Sequence, residues 1–315
     1  MTNDIKQFNK FINLRFWLVS PTSSPPDLAI LTPKPLIIGS TIPDNGTMNR
    51  KPEIEISGSF VDEVASPGLT IRVTNMYTQI PIWQYEDSLI EIEAGYFSDT
   101  QTSVKLKGKI MTASQEKPSP DGITAFSIWL GDLSGMNNSL IHLHYRPTSG
   151  TTLDKLLNDV AHKLTESSGH FDYIVVYNDT DSSNATSQIV LEGSFDYDGS
   201  IKDLLDYTKS AYSLSIMVVG DQIRVAKEYG SFHDTTYDLT YVSTVTRHAK
   251  SWVIKAPWTP GILPNSTIRF SSEYAKQSLG GAVAGSTSIE QRVLTVDFEF
   301  STVGKTNSMT LRTLG

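Results

Sequence analysis

His142 and His144 stand two residues apart in a run that alternates apolar with polar. On a strand, that spacing puts both imidazoles on one face, where they chelate a metal ion if a third ligand arrives from elsewhere. No His-Glu-x-x-His or comparable second cluster accompanies them, so they read first as polar residues on a solvated or interface face. Asp179, Asp181 and Ser183 open like a calcium loop, but its sixth and twelfth positions must be Gly and a bidentate Glu. Here they are Asn184 and Val190, and the match fails. Asp196-Tyr197-Asp198-Gly199 fails sooner, because a helix is expected where further ligands should come. Both acidic stretches therefore read as polar turns and an N-terminal cap. Residues 280–285, Gly-Gly-Ala-Val-Ala-Gly, are not G-x-G-x-x-G and follow no convincing strand. No G-x-S-x-G is present, and no nucleophile–base–acid set has a recognisable context. Paired carboxylates for glycoside hydrolysis stay open, since two such acids can lie far apart in sequence. No catalytic, cofactor-binding or metal residue is singled out, no cofactor is expected, and binding residues stay unassigned.

Composition narrows the classes. The chain has no cysteine, which excludes disulfides, zinc–thiolate sites, iron–sulfur clusters and a Cys nucleophile. Lys plus Arg is 26 against 34 for Asp plus Glu, a formal charge of −8. That acidity argues against affinity built on neutralising nucleic-acid phosphates. The 315 residues, 39% of them hydrophobic, suggest about two domains with a real core. Ser and Thr together number 69, and five Asn-x-Ser/Thr triplets, at Asn45, Asn137, Asn178, Asn184 and Asn265, read as products of that bias. The most apolar early stretch, residues 11–19, carries Arg15 and is half the roughly 20 residues a spanning helix needs. The N-terminus lacks the pattern of a secretory signal. The expectation is a soluble, non-secreted chain.

The elements that must position any site fall into three regions. Residues 53–56, 71–74, 90–93 and 104–107 alternate at strand period, with breakers at Ser57-Gly58, Ser66-Pro67-Gly68, Ser98-Asp99 and residues 117–122. Residues 123–130 and 141–145 read as two more strands. Pro21 to Pro43 holds six prolines without a period and reads as an extended arm. Its composition predicts that a neighbouring chain orders it. Near residue 150 the period becomes helical, with Leu153, Leu156, Leu157, Val160 and Leu164 on one face and Thr151 and Asp154 placed as a capping box. A second helix follows Gly199, with Ser200 and Asp203 as its capping box and Ile201, Leu204, Leu205 and Thr208 on one face. Strands are predicted at 173–177, 188–191 and 214–219, the last turning through Gly220-Asp221 into 222–226. After about residue 230 strands return at 251–256, 267–270, 294–300 and 309–311, around a Gly/Ala/Ser-rich loop at 271–288.

The order of several phrases resembles a known family. Leu89-Ile90-Glu91-Ile92-Glu93-Ala94-Gly95-Tyr96, then Leu106-Lys107-Gly108-Lys109-Ile110, a Pro-Gly-rich turn and a strand from Ile123 are similar to the first barrel of phage-tail baseplate hub proteins of the late-control protein D type. There a strand ending in Ala-Gly-Tyr leads to one reading x-Gly-x-Ile. The helix at 151–164, the segment 193–225 with Gly199-Ser200 and Leu204-Leu205, and Pro257 to Ser272 continue the likeness to the C-terminal strands. It covers about residues 50–315.

The resemblance implies a mainly β chain with an α+β insert: two tube-like antiparallel β-barrels flanking a small helix-containing domain. The expected division is an N-terminal Pro-rich arm (1–50), a first barrel (51–145), an α+β domain (146–230) and a second barrel (231–315). It implies a structural protein and not an enzyme, a homotrimer joining the sixfold tail tube above to the threefold central spike below. Other baseplate proteins are implied as further partners. DNA passes only as cargo, and no membrane binding by the chain itself is expected. The implied location is the virion tail baseplate, assembled in the host cytoplasm. Two other readings are kept: a carbohydrate-binding or glycan-processing β-rich protein, and a distal-tail adaptor of different symmetry.

Overall fold

In the computed structural model the described residues are 10–18, 32–39, 52–64, 68–74, 76, 82–97, 102–117, 122–146, 150–177, 186–191, 194–227, 236–248, 251–271, 273, 288–303 and 307–314. The alternating runs fall in β3 (Glu53–Val61), β4 (Gly68–Thr74), β5 (Leu89–Tyr96) and β6 (Thr102–Lys117), the run at 123–130 becomes β7 (Ile123–Leu130), and β1 (Lys10–Trp17) and β2 (Leu36–Gly39) precede them. They pair antiparallel in the order β3-β4-β7-β6-β5-β1-β2. Period 2 is visible in β4, where Leu69, Ile71 and Val73 are buried and Arg72 points to solvent. Residues 10–17 therefore lie in the sheet and not in an arm: β1 buries Phe11, Ile12, Leu14 and Phe16 along β5. Most of the proline-rich segment lies outside the described residues.

Ser57-Gly58 does not break β3, as the sequence suggested, but sits inside it. A Cβ on Gly58 would stand 2.3 Å from Leu69 Cδ2 and 3.4 Å from Phe298 Cε1, so the glycine marks a close approach within the strand. Gly108 plays the same part in β6. A Cβ there would meet the Trp129 carbonyl oxygen at 2.5 Å, where β7 ends and the chain turns into the insert.

The insert comprises α1 (Leu133–Asn138), β8 (Leu140–Tyr145), α2 (Leu153–Ser168), β9 (Ile174–Tyr177), β10 (Phe195–Ser200), α3 (Ile201–Ala211), β11 (Leu214–Val219) and β12 (Gln222–Lys227). It has its own core, built from the predicted faces of α2 and α3. Ser200 caps α3 by accepting from Asp203 N, as the pattern required. For α2 the cap is Thr152, which accepts from Lys155 N, and not Thr151; Thr151 is buried and its carbonyl accepts from Leu191 N. Gly169, at φ 65°, ends α2 in the left-handed conformation. The strand expected at 188–191 is a 3₁₀ turn, Thr186–Gln188, followed by a bridge from Val190 to Thr152. β8, expected in the first barrel, instead pairs with β10 in the insert.

The chain closes with β13 (Thr236–Leu239), β14 (Thr244–His248), β15 (Ser251–Ala256), β16 (Thr267–Ser271), β17 (Ser288–Ser301) and β18 (Asn307–Leu314). The long β17 pairs with β18 on one edge. On the other it pairs with β16 through residues 288–292 and with β3 through 295–301. The two β regions thus merge into one 13-stranded sheet, and one apolar cluster runs from Phe16 and Phe126 to Trp252 and Leu311. The fold is mainly β with a small helical insert. Strand β11 joins the two cores: Leu214, Ile216 and Val218 face the insert, while Met217 and Val219 face the sheet. That is why all six of its residues are buried. No helix among the described residues is long and apolar enough to cross a membrane.

Candidate functional site

Strands β8 and β10 form a two-stranded ribbon whose register sets His142 opposite Asp198 and His144 opposite Asp196. His142 and His144 do share a face, as their spacing predicted. Asp196 and Asp198, expected in a turn, are strand residues on that same face, because pairing with β8 overrides the turn preference of Asp-Tyr-Asp-Gly. His142 Nδ1 lies 2.8 Å from Asp198 Oδ1, and His144 Nδ1 pairs with Asp196 Oδ1. All four side chains are well exposed, so the pairs add little to stability. Over them lies a shallow depression of about 330 Å³. Among the described residues no three His, Asp or Glu side chains gather to hold a metal ion. Asp179, Asp181, Ser183 and the glycine-rich stretch at 280–285 lie outside the described residues.

A cleft of about 530 Å³ opens between the sheet and the end of α2, lined in part by Trp17, Glu91, Lys107, Gly108, His170 and Phe171. Its charges are already committed. Glu91 pairs with Arg15 across β1 and β5, and Lys107 Nζ lies 2.6 Å from Asp221 in the turn between β11 and β12. The hydrogen bond to Asp221 holds the lysine above its ordinary pKa. A lysine held protonated by a carboxylate is a tie between sheet and insert, not a general base.

Two further clusters were missed at the sequence level, and both are joints. The first begins at Asp62, after β3. Its carboxylate accepts from Lys209 Nζ of α3 at 3.1 Å and from the Ser215 hydroxyl of β11 at 2.6 Å. Ser215 accepts from Asn265 Nδ2, and Asn265 Oδ1 accepts from Arg292 Nε at 2.8 Å. Insert, first β region and second β region thus meet in one partly buried polar chain. Asn265 is 4% exposed with φ 71°, a left-handed backbone that Asn tolerates better than most residues. Its Asn-x-Ser/Thr triplet is therefore structural.

The second joint is Tyr96, at the end of β5. Its hydroxyl lies 2.7 Å from the Trp258 carbonyl oxygen and 2.8 Å from Asn307 Oδ1, both in the second β region. Burial pushes the phenol up to about 12, and the contact with Asn307 offsets part of that rise. A group whose folded pKa stands above its unfolded value of about 10 stabilises fully below that value and loses the contribution as pH rises through the folded one. Replacing Tyr96→Phe is expected to cost about 1 kcal/mol at pH 9. The gap from the parent should narrow between about pH 10 and 12. Urea titrations of both proteins check this, since the other tyrosines cancel in the difference. A constant offset across the range would show that the Tyr96 proton is not held in this way.

Neither a protein-family model nor a curated protein matches the sequence. The fold does match solved structures. A tail protein from Neisseria meningitidis aligns with a TM-score of 0.55 at 10% identity, covering 98% of this chain and 97% of that one. A prophage tail protein from Shewanella oneidensis aligns at 0.52 and 7% identity, covering 96% and 98%. An Escherichia coli component of the type VI secretion system, itself reported as similar to bacteriophage tail proteins, aligns at 0.52 and 9% identity over 84% and 75%. At such identities the likeness is one of fold.

Proposed function

We propose that this chain is a structural component of a phage or phage-derived tail, and specifically the hub of the tail baseplate. The observation that carries the reading is the end-to-end match of its fold, over 98% of this chain and 97% of the other, to a protein named for the tail. The family phrases support it, because their key residues hold the joints: Tyr96 ties the two β regions, and Gly108 makes room where the chain enters the insert. A joint-rich molecule whose cleft charges are spent on ion pairs suits a load-bearing part better than an enzyme.

In this reading three copies ring the tail axis. Each contributes two β regions, so the ring offers six similar units to the sixfold tube and a threefold face to the spike, with DNA passing through as cargo. Closing such a ring requires heterologous contacts between neighbours, which exposed strand edges can supply. A net charge of −8 suits a conduit that phosphate must not grip. The proposed location is the tail baseplate of the particle. The test is a reconstruction of the tail tip. Three copies on the axis with alternating β regions are expected. Six copies in true sixfold register would favour a distal-tail adaptor, and a position off the axis would reject the hub.

A further inference from the structure

We infer that the His142/His144 face of the β8–β10 ribbon is a binding site for a divalent transition-metal ion such as Zn²⁺ or Ni²⁺. Three observations lead there. The two imidazoles occupy alternate positions of one strand, so they project from the same face with Cα atoms about 6.7 Å apart. Two rings at that separation can bring one nitrogen each to a common ion at about 2 Å. Second, each ring is already oriented through its other nitrogen: His142 Nδ1 by Asp198 and His144 Nδ1 by Asp196, across the strand pair. A carboxylate only accepts, so Nδ1 carries the proton in the neutral ring, and Nε2 is left with its lone pair. This is the tautomer a metal requires. A carboxylate hydrogen-bonded to the distal ring nitrogen also holds a ligating imidazole in a fixed orientation.

Third, the arrangement occurs twice, side by side, on an exposed face beneath a depression of about 330 Å³. That leaves room for an ion and its waters. Structural stability does not explain the repetition, because exposed pairs of this kind contribute little. No group of three or more acidic or imidazole side chains surrounds one point among the described residues. The site is therefore a two-imidazole one, with Asp196 and Asp198 as orienting partners and water in the remaining positions. Imidazole with water suits Zn²⁺, Ni²⁺ or Cu²⁺ and disfavours Ca²⁺ and Mg²⁺, which take oxygen ligands. This inference is independent of the tail reading, since it rests only on the ribbon.

The test titrates the full-length chain with ZnCl₂ and with NiCl₂ by calorimetry, with CaCl₂ as the contrast. In parallel, ¹⁵N-detected imidazole spectra follow His142 and His144. One ion per chain is expected for Zn²⁺ and Ni²⁺, with the Nε2 signals shifting and Nδ1 staying protonated. His142→Ala and His144→Ala should each abolish saturable binding. Asp196→Asn and Asp198→Asn should retain it but weaken it roughly 10- to 100-fold. All four positions are exposed, so unchanged circular dichroism and melting are expected to accompany the loss. No saturable binding, or binding that survives both histidine variants and vanishes in His162→Ala on α2, would overturn the proposal. Ca²⁺ binding as tight as Zn²⁺ would overturn it too.

Discussion

Asn265→Leu is expected to destabilise the protein by about 3–5 kcal/mol, read as a fall in the urea midpoint at unchanged slope. Two costs combine. The backbone there is held at φ 71°, where a residue with a bulky β-carbon pays roughly 1–2 kcal/mol. The second cost is polar. Arg292 Nε, 2.8 Å away, loses its Asn265 acceptor, and the Ser215 hydroxyl loses a donor, in a site that is nearly closed to water. Asn265→Gly separates the two, since glycine accepts the conformation but restores no hydrogen bond, and should recover only the backbone part. Asp62→Ala attacks the other end of the chain: the Ser215 hydroxyl loses its acceptor, while Lys209 keeps only its 2.6 Å bond to the backbone carbonyl of residue 62, at a cost of about 1–2 kcal/mol. Because both variants strike Ser215, their costs should fall short of additive in the double variant by roughly 0.5–3 kcal/mol. Strict additivity would mean that the polar chain is not one unit, and a neutral Asn265→Leu would mean that the joint carries no load.

How much of this was visible in the residues depends on how far apart the partners lie. Helices α2 and α3 were legible because their faces repeat within a few residues and Ser200-x-x-Asp203 caps locally. Strands β4, β5 and β6 were legible by alternation. Strand β1 was not: Arg15 interrupts an apolar run, and its pairing partners Glu91 and Glu93 sit on β5, far along the sequence. Ser57-Gly58 looked like a stop because glycine usually is one. Only the Leu69 and Phe298 side chains facing it give the other reason for a glycine. The His142/His144 face was legible, but its carboxylate partners were hidden in Asp196-Tyr197-Asp198-Gly199, whose local preference is a turn. Neither joint, Asp62–Asn265 or Tyr96–Trp258, has a local signature, since each gathers residues from separate regions. Single polar residues meeting across the fold leave no period to read.

The seam between the two β regions is expected to fail at its aromatic cluster. Trp258, 5% exposed, stacks on Phe298 at 5.6 Å between centroids and meets Phe300 at 4.4 Å. Phe298 stacks in turn on Phe60 of β3 at 5.4 Å, and Phe300 meets Tyr96 of β5 edge-on at 5.6 Å. Both phenylalanines lie on β17 in the stretch that pairs with β3, so the rings clamp the place where one β region becomes the other. Trp258→Ala is expected to cost about 3–5 kcal/mol, the range for deleting a large buried aromatic. Trp258→Phe should keep the stacking and cost markedly less. Because the backbone of Trp258 also holds Tyr96 and Asn307, collapse of the cavity should loosen those bonds as well. The expected signature is faster hydrogen exchange at the β3–β17 pairs before the β5–β6 pairs are affected. Uniform loss of protection across the whole sheet would show instead that the seam has no identity of its own. If the chain is the proposed hub, its two β regions must be held in fixed relation for three copies to present six similar faces. In the tail reading, Trp258→Ala should therefore reduce incorporation into assembled tails even where the isolated chain remains folded. Normal incorporation of a folded Trp258→Ala chain would argue that the particle, not this seam, sets the angle between them.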